Sequence, residues 1–186
     1  MYEVEVKAKL KDRKAIIKKL KSLGCKFGKE LHQIDSIFIP DKVSFPPPLS
    51  VPILRIREQN GIFLFTLKIS QSSRQDCIER ELEIKDPKKM TEILELLNWK
   101  KVVVVDKKRI KTNFKDMEIV LDDVKNLGEF MEAEKIVTDT NPENRKKIQR
   151  ELYAFLETLG VKKDDHVVGG KYDIMLYEIK EKLGIK

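Results

Sequence analysis

The chain has 186 residues, 37% of them charged and 41% hydrophobic, and carries a net charge of +7. That length and apolar content suit one globular domain over residues 1–186 and exclude a disordered chain, while the positive balance suits an anionic partner. Two isolated cysteines, Cys25 and Cys77, argue against a thiolate zinc site and for a reducing, cytoplasmic setting; no apolar run approaches a membrane span, and no signal peptide is expected.

Residues 2–10 read as a strand with Glu3, Glu5, Lys7 and Lys9 on one face and Tyr2, Val4, Val6, Ala8 and Leu10 on the other, because strand side chains change face at every residue. Asp12 is a helix N-cap; Ile16, Ile17, Leu20 and Leu23 keep helical spacing until Gly24. A second strand is expected over 31–39, followed by a stiff proline-rich loop over 46–52. Strands over 53–59 and 62–69 flank Asn60-Gly61, a two-residue hairpin signal. Residues 71–75 read as a polar, mobile loop, and 77–85 as the next strand. Asp86-Pro87 starts a short helix through Leu97, and strands follow over 100–114, 117–123 and 129–137. Asn141-Pro142 opens a long helix ending at Gly160, with proline at its first position. A last helix covers 172–183. Eight largely meandering strands can close into a barrel whose interior is filled by side chains or holds one small ligand, with the helices packed outside: an α+β fold.

The alternation continues along the chain. Arg55 shares a face with Arg57, Thr66 with Lys68, Glu81 with Glu83, Lys107 with Arg109, Glu118 with Asp122, and Glu132 with Glu134. Two carboxylates at i and i+2 of a strand can hold one hard cation through oxygen ligands. These faces either look into water around an apolar barrel interior, or line the interior themselves. The amphipathic helices favour the second arrangement, since they need an apolar barrel exterior to cover. Segregation of carboxylates and arginines onto different strands favours it too. A buried charged lining persists only with compensating ligands: cations for the carboxylates, phosphates for the arginines and lysines. His32 and His166 have no second histidine or cysteine at ligand spacing, so all-carboxylate ligation of Mg²⁺ or Mn²⁺ is expected rather than zinc.

Six blocks in order resemble the CYTH family, the triphosphate tunnel metalloenzymes. They are Glu3-Val4-Glu5-Val6-Lys7; Leu54-Arg55-Ile56-Arg57; Thr66-Leu67-Lys68; Glu79-Arg80-Glu81-Leu82-Glu83; Lys107-Lys108-Arg109; and the stretch from Leu121-Asp122 through Leu127-Gly128 to Glu132-Ala133-Glu134. The resemblance implies an eight-stranded antiparallel barrel with its charged faces inside. By that resemblance Glu3, Glu5, Glu132 and Glu134 hold divalent cations, and Lys7, Arg55, Arg57, Lys68 and Arg109 grip a triphosphate. Glu81, Glu83 and Asp122 complete the acidic side, with Glu5, Lys68, Glu81 and Asp122 as the catalytic set and Glu83 facing substrate. Two positions depart from the pattern. Ile37 stands where members often carry tyrosine, and Lys171 stands in place of serine before Tyr172. Lys171 is either a further basic contact to substrate or a solvated lysine at a helix start. The implied activity is metal-dependent hydrolysis of an inorganic or organic triphosphate, thiamine triphosphate among them. Conversion of ATP to cyclic AMP and pyrophosphate is the alternative, and non-catalytic binding of polyphosphate or nucleotide a third reading. No nucleic-acid or membrane partner is expected: interleaved carboxylates repel a polyanion unless a cation intervenes, and aromatic stacking platforms are missing from the basic segments. A homodimer is compatible with this reading.

Overall fold

The computed structural model describes residues 2–184. Eight strands, β1 (Tyr2–Lys9), β2 (Leu31–Pro40), β3 (Ile53–Gln59), β4 (Ile62–Ser73), β5 (Asp76–Ile84), β6 (Trp99–Phe114), β7 (Met117–Val124) and β8 (Gly128–Val137), close into an antiparallel barrel. Their order around the barrel is β1-β5-β4-β3-β2-β6-β7-β8. Four helices pack against it: α1 (Arg13–Ser22), α2 (Pro87–Leu96), α3 (Pro142–Thr158) and α4 (Tyr172–Leu183). Among the described residues no helix is long and apolar enough to cross a membrane.

The local signals act as the residue types dictate. Asp12 and Asp86 accept hydrogen bonds from the amides of Ala15 and Lys89, each at 2.9 Å, and Asn141 accepts from Glu143 N at 3.0 Å, satisfying amides that the first helical turn leaves free. Asn60 and Gly61 both have positive φ, 50° and 81°, as a two-residue hairpin turn between β3 and β4 requires.

The barrel's outer face is apolar where the helices cover it. Val4, Val6, Ala8, Ile119, Leu121, Met131 and Ala133 from β1, β7 and β8 pack against Ile16 and Leu20 of α1 and Leu152 and Leu156 of α3. A second outer cluster sets Phe38, Leu54 and Ile56, with Phe65, Leu67 and Ile84, against Met90 and Leu94 of α2. Each such fully buried side chain is worth about 1.5–3 kcal/mol relative to exposure. These clusters account for the direction of the charges: with the odd-even alternation committed to apolar-out, the charged residues point inward.

One end of the barrel is apolar inside as well. Ile37, Val103, Val105, Val124 and Phe130 pack with Phe45 and with Tyr172, Ile174 and Leu176 of α4, so the first turns of α4 stop that end. The barrel closes at its shortest seam, where β1 meets β5 over three residue pairs, Tyr2–Ile78, Glu3–Cys77 and Val4–Asp76.

The expected mobile loop over 71–75 is a correction. β4 runs on to Ser73, Gln75 and Asp76 are buried, and the connection is pinned from several sides. Asp76 accepts from Ser72 Oγ at 2.5 Å and from Arg145 Nε of α3 at 2.7 Å, while Gln75 Nε2 donates to Val167 O at 3.0 Å.

Candidate active site

The lumen of the barrel holds a cavity of about 230 Å³ lined by both carboxylates and cations, including Glu3, Glu5, Lys7, Asp35, Arg55, Arg57, Lys68, Glu79, Glu81, Lys107, Arg109, Glu132, Glu134 and Lys171. Strand register places opposite charges directly across from one another. Lys7 of β1 faces Glu132 of β8, Asp35 of β2 faces Arg57 of β3, Lys68 of β4 faces Glu79 of β5, and Arg109 of β6 faces Asp122 of β7.

Like charges meet at Glu134, which has Glu5 of β1 across from it on one side and Glu118 of β7 on the other. Glu3, Glu5 and Glu134 each contribute one carboxylate oxygen to a group lying within 4.8 Å of one another. Burial pushes the Glu134 carboxyl up to about 9, helped by the negative charge of Glu3, Glu132 and Glu5. Burial also raises Glu3, although Lys68 opposes it. Glu5 is buried too, but Lys171 and Lys7 outweigh that and hold its carboxyl below the ordinary value. Three hard oxygen donors, two of them raised by burial beside like charges, fit a divalent cation such as Mg²⁺ or Mn²⁺, which would offset that repulsion directly.

Glu132 does not join that group. Lys7 Nζ sits 2.7 Å from one of its oxygens and Arg109 donates to the other at 2.8 Å. Against the cost of burial, these two cations hold Glu132 well below the usual carboxylate range. Asp122, with no exposed surface, accepts both arms of the Arg109 fork at 2.7 and 2.6 Å. It sits behind Arg109 and fixes it, rather than facing the cavity.

The opposite wall is basic and equally tied down. Arg57 makes a bidentate pair with Asp35 at 2.6 and 2.8 Å. Arg55 donates to Thr66, Glu79 and Glu81, each within 3.3 Å, and Thr66 donates to Glu81 at 2.7 Å. Lys68 lies 2.5 Å from Glu79 and 3.5 Å from Glu3. Glu83 continues the same face of β5 but is exposed, outside the cavity lining. Lys171 is no solvated helix start: its ammonium lies 3.6 Å from Glu5 and 3.5 Å from the Cys77 sulfur.

Among the lumen residues outside the site set expected from sequence are Asp35, Glu79, Lys107 and Tyr172. Lys107 lies two residues before Arg109 and so shares its face. Burial, with Arg109 beside it, lowers its ammonium to about 7, even though Asp35 at 3.5 Å and Asp122 at 4.0 Å favour the charge. Asp35 is held below the ordinary carboxylate range despite burial, by Lys107 and Arg57. Its role depends on register across β2 and β3, which alternation along one strand does not report. Neither histidine lines the cavity: His32 pairs with Asp106 at 2.7 Å on the surface, and His166 stacks on Tyr153 with ring centroids 4.4 Å apart.

With the geometry in place, comparisons with known proteins give one answer. The CYTH domain profile matches residues 1–170. A Methanocaldococcus jannaschii protein provisionally named an adenylate cyclase is 34% identical over 167 residues, which is 89% of this chain and 93% of that one. A Pyrococcus horikoshii protein of known structure superimposes with a TM-score of 0.80 at 27% identity, covering 95% of this chain and 99% of its own. A provisionally named adenylyl cyclase from Hippeastrum, described as having a dominant triphosphatase activity, shares the fold at a TM-score of 0.60 and 19% identity, covering 100% of this chain and 97% of that one.

Proposed function

The chain belongs to the CYTH family, and we propose that it is a divalent-metal-dependent enzyme that hydrolyses a triphosphate. The observation that carries this reading is the pairing, in one closed lumen, of a three-carboxylate group with a wall of buried arginines and lysines. Glu3, Glu5 and Glu134 would hold Mg²⁺ or Mn²⁺, with Glu132 beside them. The metal, when bound, supplies Lewis-acid polarisation of a phosphoryl oxygen.

The remaining work falls to side chains. Lys7, Arg55, Arg57, Lys68, Lys107 and Arg109 neutralise and orient the phosphate chain, and positioning with charge stabilisation supplies most of the catalysis in phosphoryl transfer. Asp35 and Asp122 fix the guanidinium forks of Arg57 and Arg109. Lys171 adds a charge at the Glu5 side of the lumen. Glu81, with its side chain 37% exposed, is the carboxylate we assign to take the proton of the attacking water.

Hydrolysis stands ahead of cyclisation on size. A cavity of about 230 Å³ falls below the roughly 300–1,000 Å³ of sites that enclose a drug-sized ligand. It suits a compact polyanion with any organic group left outside, whereas cyclisation needs a ribose hydroxyl brought to the α-phosphorus. The name carried by the M. jannaschii relative makes ATP cyclisation the second reading.

Purified protein with Mg²⁺ or Mn²⁺, offered inorganic triphosphate, ATP and thiamine triphosphate, tests this when phosphate, pyrophosphate and cyclic AMP are read separately. The expected result is metal-dependent phosphate release that EDTA abolishes and that Glu5→Gln and Glu132→Gln each reduce sharply. Cyclic AMP formed with equimolar pyrophosphate would replace hydrolysis by cyclisation. Undiminished turnover in EDTA would refute a metal mechanism.

A further inference from the structure

Tyr172, the first residue of α4, occupies the stopped end of the lumen and is 5% exposed. Two ammonium groups and one aromatic ring flank its own ring. The Lys7 ammonium lies 3.9 Å from the ring centroid, the Lys107 ammonium lies at 5.3 Å, and Phe130 meets it edge-on at 5.1 Å. Its hydroxyl is buried and has no hydrogen-bond partner among the described residues. That hydroxyl lies close enough to Asp122, Glu132 and Arg109 for their charges to act on it, while the ring face is what meets Lys7 and Lys107.

An ammonium on a four-carbon stem is a mobile point charge with three donors. Glu132 takes one side of the Lys7 ammonium at 2.7 Å. Without a second wall Lys7 is free to fold further onto the acidic side of the lumen, toward Glu5, away from any phosphate. A ring face within about 6 Å attracts a cation, more strongly where water is excluded, and Lys7 is buried. We propose that Tyr172 is a positioning residue: its ring face seats Lys7 at the stopped end of the lumen, with Lys107 as a second ammonium beside it, so that docking of α4 sets the affinity for the phosphate chain. The inference rests on the reading above that Lys7 contacts triphosphate.

Calorimetric titration of the full chain with inorganic triphosphate in Ca²⁺ tests it, using wild type, Tyr172→Phe, Tyr172→Leu, Lys7→Met and the double variant Tyr172→Leu/Lys7→Met. Tyr172→Phe keeps the face and should bind within about threefold of wild type, whereas Tyr172→Leu should bind roughly tenfold more weakly, the scale of a desolvated cation–π contact. Tyr172→Leu should cost almost nothing further once Lys7 is Met, because its effect passes through that lysine. Should the leucine variant fold poorly by thermal unfolding, pentafluorophenylalanine at position 172 keeps the bulk while reversing the charge of the ring face, and should weaken binding likewise. Equal losses in Tyr172→Phe and Tyr172→Leu, additivity with Lys7→Met, or wild-type binding by the fluorinated variant would each overturn the proposal. Unweakened binding by Lys7→Met would overturn the reading of Lys7 as a phosphate ligand, and the seating role with it.

Discussion

The protonation of Lys107 gives triphosphate binding a measurable signature. Burial and Arg109 bring its ammonium to about 7, so at pH 8, one unit above, only about a tenth of the molecules carry the charge. A triphosphate in the lumen adds negative charge next to Lys107 and restores the proton. The sign follows: Lys107 is charged below pH 7 in the free protein and gives up its charge as pH rises through 7, so ligand binding above pH 7 must draw a proton from solution. Uptake through this group should be about 0.9 proton per triphosphate at pH 8 and about 0.1 at pH 6. Affinity should fall by up to about tenfold per unit above pH 7, equivalent to about 1.4 kcal/mol. The assay is calorimetric titration of Ca²⁺-saturated protein at both pH values, each in two buffers of different ionisation enthalpy. Lys107→Met, run in parallel, subtracts protons taken by the triphosphate and by other groups. A difference of zero protons between wild type and Lys107→Met at pH 8 would show that Lys107 does not sense the bound anion.

Two further outcomes follow from the lumen geometry. Arg57→Ala should weaken triphosphate binding roughly ten- to a hundredfold, from loss of a charge-assisted contact of about 1.5–3 kcal/mol, while Lys108→Ala, exposed on the outer face of β6, should change little; a gap that vanishes in high salt would mean diffuse attraction instead. Glu134→Gln should raise the melting temperature of the metal-free protein at pH 8 and leave it unchanged at pH 4. The folded carboxyl, raised to about 9 by burial and neighbouring carboxylates, must either hold a proton from solution or carry an unfavourable charge as pH climbs above its ordinary value, and glutamine does neither; equal shifts at both pH values would contradict a raised Glu134 carboxyl.

Most of the fold was legible because one pattern carried it. Alternation picked out the charged face of seven of the eight strands, β2 excepted, and the caps at Asp12, Asp86 and Asn141 placed three helices. What alternation cannot report is which residue lies across the strand boundary. Glu132 and Glu134 look alike along β8, yet register puts Lys7 against Glu132 and Glu5 against Glu134, giving one a salt bridge and the other a repulsive cluster. Asp35 escaped for the same reason, since its partner Arg57 is 22 residues away in the chain. The polar run over 71–75 resembles a loop in any local reading; Asp76 and Arg145, 69 residues apart, bind that connection to α3. Glu83 shares a face with Glu81, but the cavity lining stops short of it.

Most charges of the lumen are paired with one another, Glu134 excepted, and the pairs differ in kind. The Arg57–Asp35 and Arg109–Asp122 pairs are bidentate and buried; breaking such a pair by removing one partner costs about 3–5 kcal/mol, so these forks act as fixed walls. Lys68 and Lys171 instead lean on carboxylates of the candidate metal group, at 3.5 Å from Glu3 and 3.6 Å from Glu5, through flexible stems. A divalent cation among Glu3, Glu5 and Glu134 would compete with those lysines for the carboxylates of that group, loosening Lys171 from Glu5 and leaving Lys68 to Glu79, 2.5 Å away. An anion arriving there would meet cations less fully neutralised, so under the proposed function metal and triphosphate each strengthen binding of the other, and by linkage the factor is the same in both directions.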